Sequence, residues 1–192
     1  MSTIAPEPAR AIRLLALDVD GVLSDGRVTY SDRGEELKAF NIKDGLGIKL
    51  LQRVGIDVAI ITGRRSAIVE RRAAELGIDR IVQGREDKLQ ALRELCDERG
   101  LPLSACAYMG DDLPDLAAIQ AAGLGLSVAD AVEAVREAAD WCSSRRGGDA
   151  AVREACESLL AARGDLAAII ASFGSDRDTP PGSGLSSTNT RA

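Results

Sequence analysis

The sequence predicts an α/β fold, a Rossmann-like three-layer sandwich with a central parallel sheet and helices on both faces. Short apolar runs typical of buried strands alternate along the chain with segments of helical periodicity. A repeated strand–helix–strand order requires right-handed crossovers, which lay the helices over the two faces of a parallel sheet. The length of 192 residues suits one domain of this kind, with room for a full core.

Six apolar runs are predicted to form the strands of the sheet. They cover residues 13–20, 57–63, 79–84, 105–110, 124–129 and 139–143. Between them, Val69, Ala73 and Leu76 recur at the spacing of one helix face, and Pro114 suits the first turn of a helix. A further helical stretch, residues 148–174, is predicted to close the domain.

One segment interrupts this alternation. Residues 26–40, GRVTYSDRGEELKAF, are predicted to form a β-hairpin flap directly after the first strand, with two short strands joined by the polar turn SDRGE. A hairpin in this position can shield a site at the end of the strand or pair with a neighbouring subunit.

The domain itself is expected to span residues 11–174. Residues 1–10 are predicted to be a flexible N-terminus, and residues 175–192 a disordered tail, because the tail is rich in turn-forming residues. The chain contains no run of about 18 apolar residues and no complete signal-like segment, so we expect a cytoplasmic protein with no membrane partner.

Composition narrows the chemistry. The net charge of −6 argues against a nucleic-acid partner, because a basic face would supply most of the affinity for one. The four cysteines lack the spacing of a metal site and are expected to be buried thiols. Histidine is absent, which excludes catalytic triads that use it and histidine-ligated zinc. Any catalysis must use carboxylates, lysine, threonine or a hard metal ion.

Candidate functional residues lie at the ends of four predicted strands or just after them, far apart in sequence. They are Asp18 and Asp20, then Thr62 and Gly63, then Lys88, and finally Asp111, Asp112 and Asp115. Open α/β sheets bind ligands outside the carboxyl ends of their strands, so these side chains should converge on one crevice. Buried carboxylates require a compensating cation, and carboxylates with no histidine or thiolate beside them suit Mg²⁺.

These residues carry a resemblance to a known superfamily. DVDGV at 18–22, ITG at 61–63, Lys88 and GDD at 110–112 resemble the four-motif signature of the haloacid dehalogenase superfamily of phosphotransferases, over about residues 13–165. Three longer segments are similar to the capless 3-deoxy-D-manno-octulosonate 8-phosphate phosphatases. They are FNIKDGLGIKLL at 40–51, IITGRRSAIVERRAAELGI at 60–78 and AYMGDDLPDL at 107–116.

The resemblance implies a phosphatase that needs Mg²⁺, has no cap domain and hydrolyses an acid sugar phosphate through an aspartyl-phosphate intermediate. Asp18 would be the nucleophile, and Asp20 the general acid and then the general base. The implied metal ligands are Asp18, the backbone carbonyl of Asp20, and Asp111. Thr62, Gly63 and Lys88 are implied to hold the phosphoryl oxygens.

Further roles follow from the same resemblance. Of Asp112 and Asp115, one is expected to orient the waters of the metal and the other to cap the following helix. Arg64 directly follows the ITG motif and is expected to bind a substrate carboxylate. In relatives the flap pairs between subunits of a homotetramer, which predicts a homotetramer here.

Arg64 favours 3-deoxy-D-manno-octulosonate 8-phosphate as the substrate, because the related nonulosonate 9-phosphate enzymes tend to carry glutamate there. One departure stands against this: the segment GGDAAVRE at 147–154 has Asp149 where the octulosonate enzymes commonly have arginine in GGRGAVRE. Arg145 and Arg146 just upstream could compensate. Three alternatives stay open: a nonulosonate 9-phosphate phosphatase, a broad-specificity sugar phosphatase, and a non-catalytic assembly subunit of a sugar-activating enzyme.

Overall fold

The computed structural model describes residues 3–175, and within them the predicted runs form one six-stranded parallel sheet. The strands of the protein are β1 (Leu14–Leu17), β2 (Thr29–Tyr30), β3 (Glu36–Leu37), β4 (Asp57–Thr62), β5 (Arg80–Gln83), β6 (Cys106–Gly110), β7 (Leu124–Ser127) and β8 (Trp141–Cys142). The order in the sheet is β5-β4-β1-β6-β7-β8, and every neighbouring pair is parallel. The central position of β1 agrees with its uninterrupted apolar sequence LLAL, in which all four side chains are buried.

Helices cover this sheet and confirm the predicted fold class. They are α1 (Pro6–Ala11), α2 (Ile42–Arg53), α3 (Ala67–Leu76), α4 (Lys88–Glu98), α5 (Leu116–Ala121), α6 (Glu133–Ala138), α7 (Ala151–Arg163) and α8 (Leu166–Ser175). Helix α2 packs against α7, which also contacts α1 and α8, whereas α5 packs against α4 and α6. Residues 3–175 contain no separate cap domain. No helix in this range is long and apolar enough to cross a membrane.

The flap lies where the sequence predicts it, as the antiparallel pair of β2 and β3. Its strands are short and exposed, and they pair with each other rather than with the main sheet. The flap therefore projects from the end of β1, next to the residues that follow that strand.

Two features differ from the expectation. Helix α1 overlaps residues 6–10 of the segment expected to be flexible, and its Ala9 is fully buried. The helical stretch 148–174 is two helices, because Gly164 takes a left-handed conformation (φ +90°) and its amide caps the end of α7. The predicted disordered tail lies outside the described residues, apart from Ser175 at the end of α8.

Candidate active site

The strand order brings the predicted site residues together. Strand β1 lies between β4 and β6, so the residues after these three strands meet at one edge of the sheet. A cleft of about 280 Å³ opens there. Its lining includes all nine predicted site residues: Asp18, Asp20, Thr62, Gly63, Arg64, Lys88, Asp111, Asp112 and Asp115.

Lys88 forms the charged centre of the cleft. It is the first residue of α4, and its side chain is only 4% exposed. The Nζ atom lies 2.9 Å from Asp18 Oδ1 and 3.0 Å from Asp115 Oδ1, and it donates to the Ile61 carbonyl at 3.4 Å. Burial alone would lower the pKa of Lys88, but the charges of Asp18 and Asp115 outweigh it and raise this pKa. The ammonium group therefore stays charged beside Asp18.

Asp115 holds this arrangement in place. Its Oδ1 accepts hydrogen bonds from Lys88 and from the hydroxyl of Tyr108 at 2.7 Å. Its Oδ2 accepts from the backbone amides of Asp111 at 3.0 Å and Asp112 at 3.3 Å. The side chain is 1% exposed. Because both oxygens are already occupied by donors, Asp115 fits the role of orienting its neighbours.

Asp112 makes a capping contact, which is one of the two roles that the sequence left open for Asp112 and Asp115. Its side chain accepts a hydrogen bond from the Leu113 amide at 2.8 Å, at the start of a short 3₁₀ turn that leads into α5. The residue is exposed, in contrast to the buried Asp115. Asp112 thus caps the 3₁₀ turn that leads into α5.

The carboxylates of the cleft form a group that fits a divalent cation. One oxygen each of Asp18, Asp111 and Asp115 lies within 4.8 Å of the others. Asp111 Oδ1 is buried and has no hydrogen-bond partner among the described residues. Three carboxylates share one lysine here, and such a set of hard oxygen donors suits Mg²⁺.

The pKa values of two of these carboxylates are raised, as expected for buried acidic groups that lie close together. Burial, followed by the charge of Asp115, raises the pKa of Asp18 to about 6. Burial and the charge of Asp18 raise the pKa of Asp111 to about 7. A bound cation would favour the charged forms of both groups.

Gly21 makes room for Asp111, and its role was not predicted. A Cβ atom on Gly21 would lie 2.0 Å from Asp111 Oδ2, and the backbone there has φ +95°. Only glycine combines this conformation with this approach. The sequence did offer a sign of this role, because Gly21 directly follows the second aspartate of the motif.

Asp20 points to a different part of the cleft from Asp18. Its Oδ1 forms an ion pair with Lys38 and accepts a weaker hydrogen bond from Ser24 Oγ at 3.4 Å. Its Oδ2 lies 4.0 Å from Arg64 Nε. Sequence reasoning missed Lys38, because alternation in an exposed hairpin gives no sign that one lysine turns inward.

Thr62 and Gly63 end β4 beside these carboxylates. Thr62 is 2% exposed, and its Oγ1 accepts a hydrogen bond from the Arg64 amide at 3.4 Å. A Cβ atom on Gly63 would lie 2.5 Å from Glu86 Oε1, so the absence of a side chain lets the Glu86 carboxylate lie close to the backbone here. Thr62 and Gly63 thus line the same cleft as Lys88.

The C-terminal turn, residues 147–150, also reaches this edge of the sheet. A Cβ atom on Gly147 would lie 1.7 Å from the Gly21 carbonyl oxygen, and the Gly148 amide donates to the Val22 carbonyl at 3.0 Å. Asp149, in contrast, lines a separate cleft with Asp130 and other charged residues. In the described part of this chain, Asp149 is not among the residues that line the active-site cleft.

A parallel α/β sheet that gathers carboxylates, a Thr-Gly pair and a buried lysine at its strand ends is typical of haloacid dehalogenase-like phosphotransferases. Residues 42–123 match the model of a haloacid dehalogenase-like hydrolase family. The chain is 48% identical, over 158 residues, to the 3-deoxy-D-manno-octulosonate 8-phosphate phosphatase of Escherichia coli K12, covering 82% of this chain and 84% of the relative. The protein belongs to this phosphatase family.

Solved structures agree with this membership. The 3-deoxy-D-manno-octulosonate 8-phosphate phosphatase of Moraxella catarrhalis, crystallised with a magnesium ion, a phosphate ion and a KDO molecule, is 51% identical, with a TM-score of 0.86 over 88% of this chain and 97% of that one. A cobalt-bound form of the Haemophilus influenzae enzyme is 40% identical, with a TM-score of 0.83 over 87% of this chain and 98% of that one. A divalent cation therefore accompanies this fold in both relatives.

Proposed function

We propose that this protein is a Mg²⁺-dependent phosphomonoesterase that hydrolyses 3-deoxy-D-manno-octulosonate 8-phosphate to the free sugar acid and phosphate. One observation carries the proposal. The nine residues expected from the motifs line a single cleft, with the Asp18 carboxylate held 2.9 Å from Lys88. Family membership at 48% identity to the Escherichia coli phosphatase supports the choice of substrate.

In the first step, an Asp18 oxygen attacks phosphorus and forms an aspartyl-phosphate, while the bond from phosphorus to the sugar oxygen breaks. Asp20 donates a proton to that departing oxygen, which avoids release of a strongly basic alkoxide. In the second step, Asp20 takes a proton from a water molecule that attacks phosphorus, and the bond to Asp18 breaks. The second step restores the free carboxylate of Asp18 and the proton on Asp20, and it releases phosphate.

Other groups hold the phosphoryl oxygens during both steps. Lys88 supplies a fixed positive charge, and Thr62 Oγ1 and the Gly63 amide supply hydrogen bonds. Asp115 keeps the lysine in place, because it accepts from Nζ at 3.0 Å while both partners are buried. Preorganised donors of this kind need no rearrangement as charge shifts in the transition state.

Mg²⁺ would be held by Asp18, the backbone carbonyl of Asp20, and Asp111, and when bound it supplies positive charge that reduces repulsion between carboxylate and phosphate. The unpartnered Oδ1 of Asp111 is the feature of this chain that best fits such a ligand role. Gly21 allows that carboxylate to reach its place without a steric clash.

Arg64 is the proposed contact for the substrate carboxylate. Its side chain is 45% exposed at the mouth of the cleft, so a planar guanidinium group is accessible to an anionic ligand. The charge of Asp149 lies in another cleft of the same chain, so it does not directly oppose this contact.

The flap is the proposed subunit contact of a homotetramer. Val28, Tyr30 and Leu37 are 46%, 62% and 53% exposed, and they lie on the two strands of the hairpin or beside them. Exposed apolar side chains grouped on one hairpin are typical of a protein interface.

A cytoplasmic location is part of the same proposal, because the four cysteines are free thiols, as suits a reducing compartment.

The test is phosphate release with Mg²⁺ and with a chelator, from the octulosonate 8-phosphate, a nonulosonate 9-phosphate and a hexose phosphate. The Asp18→Asn variant is the blank. We expect Mg²⁺-dependent turnover with kcat/KM at least tenfold higher for the octulosonate, or about 1.4 kcal/mol of discrimination. Equal rates on all three would indicate a broad-specificity phosphatase, and preference for the nonulosonate would reassign the substrate. Absence of turnover on every ester would favour a non-catalytic assembly subunit.

A further inference from the structure

The flap contributes one inward-facing lysine to the cleft. Lys38 directly follows β3, and its side chain is only 3% exposed, although Tyr30 and Leu37 of the same hairpin are more than half exposed. Burying a lysine is costly unless its charge is paired, so the partners of Lys38 indicate its function. Its closest partner is the carboxylate of Asp20.

Lys38 belongs to a closed ring of four alternating charges, which we name the charge ring: Asp20, Lys38, Glu36 and Arg64. Lys38 pairs with Asp20, and its Nζ lies 3.8 Å from Glu36 Oε1. Arg64 Nη2 lies 3.4 Å from that same Glu36 oxygen, and Arg64 Nε lies 4.0 Å from Asp20 Oδ2. Two members come from the flap and two follow strands of the sheet, so the ring joins the flap to the catalytic edge.

The ring also separates the two aspartates of the DVDG motif. Asp18 faces Lys88, Asp111 and Asp115, whereas the side chain of Asp20 is occupied by Lys38 and Ser24. A free Asp20 carboxylate, 23% exposed in its side chain, would be drawn toward any cation bound in the cleft. Lys38 supplies a competing positive charge on the flap side.

We propose that Lys38 is a positioning residue: from the flap, it holds the Asp20 carboxylate toward the leaving-group side of the cleft. This inference rests on the proposed phosphatase function. A general acid must lie within hydrogen-bond reach of the atom it protonates, so a misdirected Asp20 slows cleavage of the sugar ester. The ion pair of Glu36 with Arg64 holds the flap against the end of β4, and this fixes the position of Lys38.

The experiment compares two leaving groups in the full-length protein. Departure of a sugar alkoxide needs proton donation, whereas p-nitrophenolate leaves readily without it. The quantity to measure is kcat/KM, because it reports only the steps up to cleavage of the ester. The Lys38→Met variant should lose about 10²-fold on the octulosonate 8-phosphate and less than about tenfold on p-nitrophenyl phosphate. Lys38→Arg, which keeps the charge, should recover part of the loss on the sugar ester.

Lys49→Met is the matched control, because it removes a lysine from α2 outside the charge ring; it should leave both rates unchanged. Equal losses of Lys38→Met on the two substrates, in protein that melts at the wild-type temperature, would overturn the positioning role. So would an increase in KM with unchanged kcat, which would make Lys38 a substrate contact. A wild-type protein inactive on both esters would instead overturn the proposed function itself, and this role with it.

Discussion

The active-site cleft is built from two kinds of structure, and they differ in how their side chains are held. At the edge of the sheet, Asp18, Lys88 and Asp115 are buried, and Lys88 forms an ion pair with each of the two aspartates. The flap and the C-terminal turn are not part of the sheet, and they contact that edge from its outer side. Their contribution rests on a few contacts, such as the pair of Lys38 with Asp20.

The comparison teaches that the two kinds of structure have different functions. Groups fixed by a packed sheet suit the steps common to all phosphate esters, because their positions do not depend on the leaving group. Groups on a projecting hairpin suit recognition and protonation of a particular sugar, since a hairpin can move and can vary without disturbing the core. Four predictions test this division, from the largest effect to the smallest.

Loss of Asp115 should damage the sheet edge most. Asp115→Ala removes the partner of Lys88 and Tyr108 and leaves buried donors unpaired, so we expect the free energy of unfolding to fall by about 3–5 kcal/mol. The matched variant Asp112→Ala removes only an exposed helix cap and should cost about 1 kcal/mol. Urea denaturation of both variants measures the difference. Equal losses would show that the buried network contributes no more than a cap.

A charge on the flap should have the opposite profile. Leu37→Asp replaces an exposed apolar side chain with a carboxylate, so it should leave the fold of the domain intact while it disrupts the proposed tetramer. Sedimentation velocity should show a tetramer for the wild type and smaller species for the variant. A variant that stays tetrameric would place the subunit contact elsewhere. Phosphate release from p-nitrophenyl phosphate should persist, since the sheet edge is intact.

These two regions also differ in how far the sequence predicts them. Asp18, Thr62, Lys88 and Asp111 follow recognisable strands, and the carboxyl ends of parallel strands necessarily share one edge. The parallel sheet and its helices were predicted from the alternation of apolar runs with segments of helical periodicity. Lys38 was not, because burial of a hairpin side chain depends on where the hairpin folds back, which no local pattern records.

Similar limits apply to the chain ends. Helix α1 was missed because its six residues carry almost no periodicity, and its one fully buried side chain is Ala9. The break at Gly164 was available in the sequence, since glycine often ends helices, but the apolar residues on both sides favoured one continuous helix. In each case, tertiary contacts or a single backbone conformation decided between two acceptable local readings.

The C-terminal turn is anchored by a buried carboxylate, which predicts a pH dependence. Asp44 accepts a hydrogen bond from the Arg153 amide at 2.7 Å, and its Oδ2 has no partner among residues 3–175. Burial and the charge of Asp149 together raise the pKa of Asp44 to about 6, against the hydrogen bond from the Arg153 amide, which lowers it. The folded state therefore holds a proton that the unfolded state releases, so stability falls as pH rises from about 4 to about 6.

Asp149→Arg should reduce that fall, because it replaces the like charge near Asp44 with an opposite one. We expect the variant to gain roughly 1 kcal/mol or more over the wild type at pH 7.5 and much less at pH 4.5. Thermal unfolding at the two pH values measures this difference. An equal change at both pH values would mean that Asp149 acts through packing rather than through the charge of Asp44.

The smallest effect is expected at Ala150, which precedes α7 in the same turn. Among residues 3–175 it is the one non-glycine residue with a positive φ, at +65°. An alanine in the left-handed region costs about 1–2 kcal/mol because its Cβ approaches the following carbonyl, whereas glycine has no such clash. Ala150→Gly should therefore stabilise the protein by about 1 kcal/mol, after the greater freedom of glycine in the unfolded chain offsets part of the relief. Urea denaturation measures this gain, and a loss of stability would mean that the Ala150 methyl group, buried at 3% exposure, contributes more by packing than its backbone strain removes.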